Sequence, residues 1–128
     1  MENIFEKFDH GVLALPQGGR LLSEAQWAAH PDFEGVELKA LVTGADTDRK
    51  FSCHLVRIAP GRQIGEHTHG RQAELHEVIG GSGVCVNGGS EIRYECGVIS
   101  VIGEGVVHSV TAGECGLLLF AKFIPALG

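Results

Sequence analysis

Gly61-RQIGE-His67-T-His69-GRQA-Glu74-LHEVIG-Gly81 is the stretch on which the fold turns. His67 and His69 stand at i and i+2, so an extended chain points both imidazoles to one face. Glu74 follows five residues later and opens a run in which His76 and Val78 share its parity, while Glu77 takes the opposite face. An inward carboxylate needs a cation to offset its burial. With His108 far downstream, four N and O donors can converge on one ion. Neutral imidazole suits Zn, Fe, Ni, Cu or Mn, and several divalent ions remain open. His76 fits a further donor, a proton shuttle, a substrate hydrogen-bonding group or a buried imidazole satisfied by a neighbour. We take it as the candidate catalytic residue: His76→Ala is expected to abolish turnover and leave metal bound. His10, His30 and His54 have no such context and receive no role.

Working outward, short apolar or alternating runs are separated by glycine-rich punctuation. They cover Val12 to Leu15, Val36 to Thr43, Phe51 to Ala59, Glu74 to Ile79, Gly83 to Val86, Glu91 to Tyr94, Val98 to Ile102, Ser109 to Thr111 and Leu117 to Ile124. Short strands at this spacing predict an all-β sandwich or barrel. Gly80-Gly81-Ser82-Gly83 reads as a turn between two of them. Asn87-Gly88 is a hairpin signal, because a type I′ turn needs positive φ at both central residues. It should join a strand ending at Val86 to one starting near Glu91. The single helical candidate is Ser23 to Ala29, with Ser23 as cap and His30-Pro31 as stop. The rest of the first 50 residues reads as extended, and Gly44 to Lys50 as a polar loop.

At 128 residues the chain has the size of one domain, and we expect a single one over 1–128 with its barrel core at about 36–124. A net charge of −6 and no Lys/Arg run argue against nucleic acid as a partner. No apolar run approaches the roughly 20 residues of a membrane span, so no membrane association is expected. Met1 to His10 lacks the basic and then apolar order of a secretory signal. Cys53, Cys85, Cys96 and Cys115 form no CxxC pair and read as reduced, buried thiols, which points to the cytoplasm. Cys53 and Cys85 fall on expected strands and could line a barrel. No Cys–Tyr pair stands out, and the sole tyrosine, Tyr94, reads as packing.

The quoted stretch resembles the first motif of the cupin superfamily in every position. Gly97-VISVI-Gly103-E-Gly105-VV-His108-SVT-Ala112 resembles the second, with Gly103 where proline is usual, Ala112 where asparagine is usual and Val98 where aspartate is common. None of the three departures falls on a ligand position. The resemblance implies an antiparallel jelly-roll β-barrel with a short N-terminal extension. It implies His67, His69, Glu74 and His108 as ligands of one divalent ion: Zn, Fe, Mn or Ni. It also implies a homodimer, for which Val36 to Thr43 is the candidate strand.

Three imidazoles and a carboxylate leave coordination positions open, which is what a catalytic metal site requires. Val78, Val86 and Val101 are expected to make the surrounding pocket dry. Arg62 and Arg71 flank the histidine pair; either could hold a substrate carboxylate or phosphate, or simply be solvated. The expected function is that of a metal-dependent enzyme on a small polar metabolite, of dioxygenase, isomerase or lyase type. The alternative is a non-catalytic module that binds or senses a metal or small ligand. Residues 31–39 are similar to the cupin half of zinc-dependent anti-sigma regulators, but the helical sigma-binding part has no counterpart here. Ligation requires deprotonated side chains, so metal affinity should fall as pH drops through the histidine range.

Overall fold

The computed structural model describes residues 3–127; Met1, Glu2 and Gly128 of the expected domain span lie outside it. The chain runs α1 (Ile4–Asp9), β1 (Val12–Leu15), β2 (Gly18–Leu21), β3 (Ala28–Ala29), β4 (Val36–Val42), β5 (Ser52–Ile58), β6 (Gln63–His67), β7 (Ala73–Asn87), β8 (Ser90–Glu95), β9 (Ile99–Ile102) and β10 (His108–Ile124). β1 and β2 form a separate hairpin, and the other strands form one antiparallel network in the order β3-β4-β5-β10-β7-β8. β7 and β10 are the long elements that bind it together. The first half of β7 pairs with β9 and its second half with β8. β10 pairs first with β6 and then with β5. Each long strand therefore serves both walls of a jelly roll. The core between the walls draws on β4 to β10, including Val36, Val56, Ile64, Val78, Cys85, Tyr94, Ile102, Leu117, Leu119 and Phe123.

Gly80-Gly81-Ser82-Gly83 is not the expected turn: β7 runs on through it without a break, and so does β10 through Gly113 to Gly116. The pairing of β7 and β10 slips between Ala112 and Leu117 and again between Leu118 and Leu119. These bulges bend both strands around the corner of the barrel. Gly81 has φ +70, and a Cβ there would stand 2.1 Å from the Gly116 carbonyl oxygen. Gly81→Ala is expected to cost about 2–4 kcal/mol from left-handed strain plus forced separation of the two backbones. Gly89→Ala (φ +86, no atom within 4 Å) is the control and should cost only the strain. The urea midpoints of the two variants check this, and equal midpoints would show that the corner has room to spare.

The hairpin turn sits where expected, with Asn87 paired to Ser90 and both intervening residues, Gly88 and Gly89, at positive φ. Its centre is one residue later than Asn87-Gly88 suggests. The N-terminal region differs more. Ser23 to Ala29 is not a helix: a single 3-10 turn, Leu22–Glu24, is followed by extended chain in which Ala28 and Ala29 pair with Leu38 and Glu37. Seven residues make a marginal helix, and the chain gains β pairing instead. The α-helix lies at Ile4–Asp9, within a segment that reads as extended, and Asn3 Oδ1 caps it by accepting from Glu6 N at 3.1 Å. α1 and its successors pack on the outer face of the barrel, where Phe5, Leu22, Leu41 and Leu55 form a second small core joined by Trp27 and Phe120. β4 is thus flanked by β5 and β3, and its outward Lys39 and Leu41 are buried under the chain's own N-terminal segment. No helix among the described residues is long and apolar enough to cross a membrane.

Candidate metal centre

β6 delivers His67 at its end, the following loop His69, the start of β7 Glu74 and His76, and the start of β10 His108. His108 pairs with His67 across the β6–β10 ladder, which sets the two rings 4.1 Å apart. One donor atom from each of His67, His69, Glu74 and His108 lies within 4.8 Å of every other. Glu74 Oε1 is 3.5 Å from His69 Nε2 and 3.3 Å from His108 Nε2. Donors about 2.1 Å from a shared ion stand roughly 3–4 Å apart. The structure brings together all four residues that the sequence points to.

The tautomers are set from behind. His67 Nδ1 donates to the Gly65 carbonyl at 2.8 Å, and His108 Nδ1 donates to the Val106 carbonyl at 2.9 Å. In the neutral ring each then presents a bare Nε2 lone pair inward. His108 Nε2 and Glu74 Oε1 are both buried and lack a hydrogen-bond partner. A lone pair facing a carboxylate oxygen in a buried site is repulsive unless a positive charge lies between them. These residues therefore fit a divalent cation.

Burial alone would raise the Glu74 carboxyl, but the His108 and His76 imidazoles outweigh it and hold the group well below the usual range. Burial would lower His108, yet Glu74 and the Val106 carbonyl raise it. Burial lowers His67 and His69, which keeps both neutral and ready to ligate.

His76 does point with Glu74, and both its nitrogens are occupied. Nε2 donates to Glu74 Oε2 through a short hydrogen bond, and Nδ1 accepts from the Tyr94 hydroxyl at 2.9 Å. The bond from His76 occupies Glu74 Oε2 and leaves Oε1 free for an ion. Tyr94 is fully buried, and burial together with the adjoining Cys85 thiol pushes its hydroxyl up, so it stays protonated and donating. The hydroxyl of Tyr94, which the sequence marks only as packing, thus reaches the site through His76. The sequence holds no local signal for the role of Tyr94, which depends on the β7–β8 register.

A cavity of about 90 Å³ opens beside the centre. Leu38, Val56, Leu119, Phe123 and Leu127 supply its apolar wall. Of the expected pocket residues, Val78 is core, whereas Val86 and Val101 face solvent at 38% and 66% exposure. The bulge at Gly80-Gly81 shifts the inward parity of β7 from Val78 to Cys85, which turns Val86 outward. In β9 the inward residues are Ser100 and Ile102, so Val101 points away. Arg62 and Arg71 are exposed and do not line the cavity; Arg62 stands 3.8 Å from Glu34. His30, which carried no sequence signal, does line it and packs at a tilt against Phe33, with 4.8 Å between ring centres. All four cysteines are free, with Cys53 and Cys85 buried as expected and Cys96 and Cys115 exposed against expectation.

No family model matches the chain, and no curated protein matches it. Solved structures do. A predicted oxalate decarboxylase from Thermotoga maritima is similar at 23% identity and a TM-score of 0.72, covering 82% of this chain and 96% of that one. An RmlC-like cupin from Shewanella frigidimarina is similar at 16% identity and 0.70, covering 81% and 86%. The fold is that of the cupins. KdgF from Halomonas sp. is similar at 21% identity and 0.71, covering 82% of this chain and 90% of that one. At these identities the likeness speaks for the barrel alone, and the site must be argued from its own geometry.

Proposed function

We propose that this cupin is a mononuclear metal-dependent enzyme acting on a small polar metabolite, with His67, His69, Glu74 and His108 holding one divalent ion. The observation that carries the reading is the pair of buried, unpartnered atoms, Glu74 Oε1 and His108 Nε2, which stand 3.3 Å apart. A bound Zn, Fe, Mn or Ni ion would supply Lewis-acid or O₂ chemistry at the open positions. Similar chains include a predicted oxalate decarboxylase, KdgF and an ectoine synthase, which favours turnover of small molecules. Dioxygenase, isomerase and lyase chemistry all remain compatible with the donor set.

Within this reading His76 is first a positioning residue. Its Nε2 proton is committed to Glu74, and a catalytic transfer would require that bond to open. His30 carries the freer proton. Its Nδ1 accepts from Asp32 N at 3.0 Å, so the neutral ring holds its hydrogen on Nε2 and can donate it to a substrate oxygen. The alternative, a binding or sensing module, draws on that scarcity: among the described cavity residues, only His30 adds a titratable group to the ligands and His76. A cytoplasmic setting accords with four free thiols. A homodimer belongs to the proposal too, with exposed Ile99 and Val101 on β9 a better candidate surface than the covered β4.

The test is elemental analysis of protein purified without a nickel column or chelator. About one transition-metal ion per chain, lost in His69→Ala, is the expected result. Iron would direct screening to oxygen consumption, and zinc, nickel or manganese to isomerase and lyase assays. No metal, and none taken up on reconstitution, would remove the enzyme reading.

A further inference from the structure

Pro125 to Leu127 leave β10 and bring Leu127 to the edge of the cavity. This short strap is held at three places. Ala126 N donates to the Arg49 carbonyl at 3.1 Å, Leu127 N donates to Ser52 Oγ at 2.9 Å, and Gln72 Nε2 donates to the Ala126 carbonyl at 3.4 Å. The anchors lie in the β4–β5 loop, in β5 and in the loop before β7, so the strap ties together three parts of the rim. Ser52 is itself fully buried, and its hydroxyl also meets His54 Nε2 at 3.0 Å. The Leu127 side chain lines the cavity with His67, His69 and Glu74, yet the residue remains 39% exposed. One face of it touches the cavity and the other touches solvent, which is the position of a cap.

We propose that this strap sets the upper size of the molecule that reaches the His67/His69/Glu74/His108 centre, and that Leu127 is the residue that sets it. The inference rests on the metal-centre reading and adds a ligand class to it. The cavity beneath Leu127 measures about 90 Å³. An apolar cavity of about 150 Å³ accommodates benzene, with its six carbons. With the strap in place the part of an occupant that lies inside the cavity therefore has fewer than about six non-hydrogen atoms. The two walls define its chemistry: an oxygen-bearing end toward the imidazoles and a short apolar end toward Leu38, Val56 and Phe123. Small carboxylic acids and hydroxy compounds fit; aromatic acids, sugars and nucleosides do not. Both backbone N–H anchors are independent of the leucine side chain, so truncating it opens the mouth without releasing the strap.

Cobalt(II)-loaded protein, titrated with acetate and with benzoate and followed by visible absorption, tests the size limit. In the native protein acetate should perturb the spectrum, and benzoate should bind at least about tenfold more weakly. Leu127→Gly should recover that factor for benzoate and leave acetate within about twofold, while Leu127→Trp should weaken acetate as well. Equal binding of the two acids by native protein, or no gain for benzoate in Leu127→Gly, overturns the proposal. A second arm needs no metal. Diethyl pyrocarbonate modification of His67 and His69 in metal-free protein, read by peptide mass spectrometry against exposed His10, should run several-fold faster in Leu127→Gly. Unchanged rates overturn the proposal. If cobalt does not bind at all, the metal-centre reading fails, and the modification rates alone decide whether Leu127 guards the cavity.

Discussion

Glu74→Ala is expected to lower affinity for a divalent ion by at least about a hundredfold, and His76→Ala by about ten- to a hundredfold. The first figure follows from sharing a binding free energy of roughly 10–16 kcal/mol among four ligands, which gives about 3 kcal/mol each. The second concerns a residue that touches no ion. His76 Nε2 holds Glu74 Oε2, and the Tyr94 hydroxyl fixes the ring from the other side. Without that hold the carboxylate can rotate, and part of the binding energy goes into reorienting it. The contact changes what the sequence suggests for His76→Ala, namely lost turnover with metal fully retained. Tyr94→Phe keeps the ring and removes only the hydroxyl, so its effect should be smaller and in the same direction. Competition against a zinc chelator reads all three. Native affinity in His76→Ala would mean that strand geometry alone orients Glu74, and His76 would return to being a candidate acid or base.

How much of this site could be read beforehand depended on how local each relation is. His67, His69, Glu74 and His76 lie within one short stretch, where period-two geometry already decides which side chains converge. His108 needed the second motif, because nothing local marks it. Tyr94, His30 and Leu127 reach the site only through strand register and chain return, and those depend on bends that composition does not locate. The same limit appears in the fold. Val12 to Leu15, the β4 strand and the hairpin at Gly88-Gly89 follow local rules. Gly80-Gly81 carries the residues of a turn, but the neighbouring strand makes it a bulge, because Gly81 and Gly116 approach too closely for any side chain. That single shift turned Val86 from an expected pocket residue into a surface one. The N-terminal helix is a different case: Asn3 followed three residues later by Glu6 is a capping signature that the sequence does display. Its six residues lack the length that normally supports a helix, so packing of Phe5 on the barrel completes what the cap begins.

Asp9→Ala is expected to destabilise the protein by about 3–5 kcal/mol, while the double variant Asp9→Ala/Lys39→Met should lie within about 1–2 kcal/mol of the native chain. Lys39 projects from β4 into the outer core and is 2% exposed. Its ammonium donates to Asp9 Oδ1 and, at 2.8 Å, to the Asp9 carbonyl, while Trp27 Nε1 donates to the same carboxylate at 3.1 Å. The cluster pins the end of α1 to the barrel. Removing the carboxylate leaves a buried cation with one carbonyl partner, and that desolvation penalty dominates the cost. Removing both charges leaves an apolar side chain of similar length in an apolar layer. The pH dependence has a definite sign. Burial alone would raise the Asp9 carboxyl, but Lys39 outweighs it and holds the group below its ordinary value. A depressed native pKa means that the unfolded chain takes up the proton first. The stabilisation is then fully present above the unfolded carboxylate pKa of about 4 and is lost as pH falls through the native one. Asp46, held low chiefly by its hydrogen bond to Arg20, contributes in the same direction. Urea midpoints measured from neutral pH down to about pH 3 should therefore fall for the native protein and fall less steeply for Asp9→Ala. A cost below about 1 kcal/mol at neutral pH would show that the ammonium finds water when Asp9 is gone. The clamp on α1 would then rest on ring packing, Phe5 against Trp27 and Phe8 against Phe120.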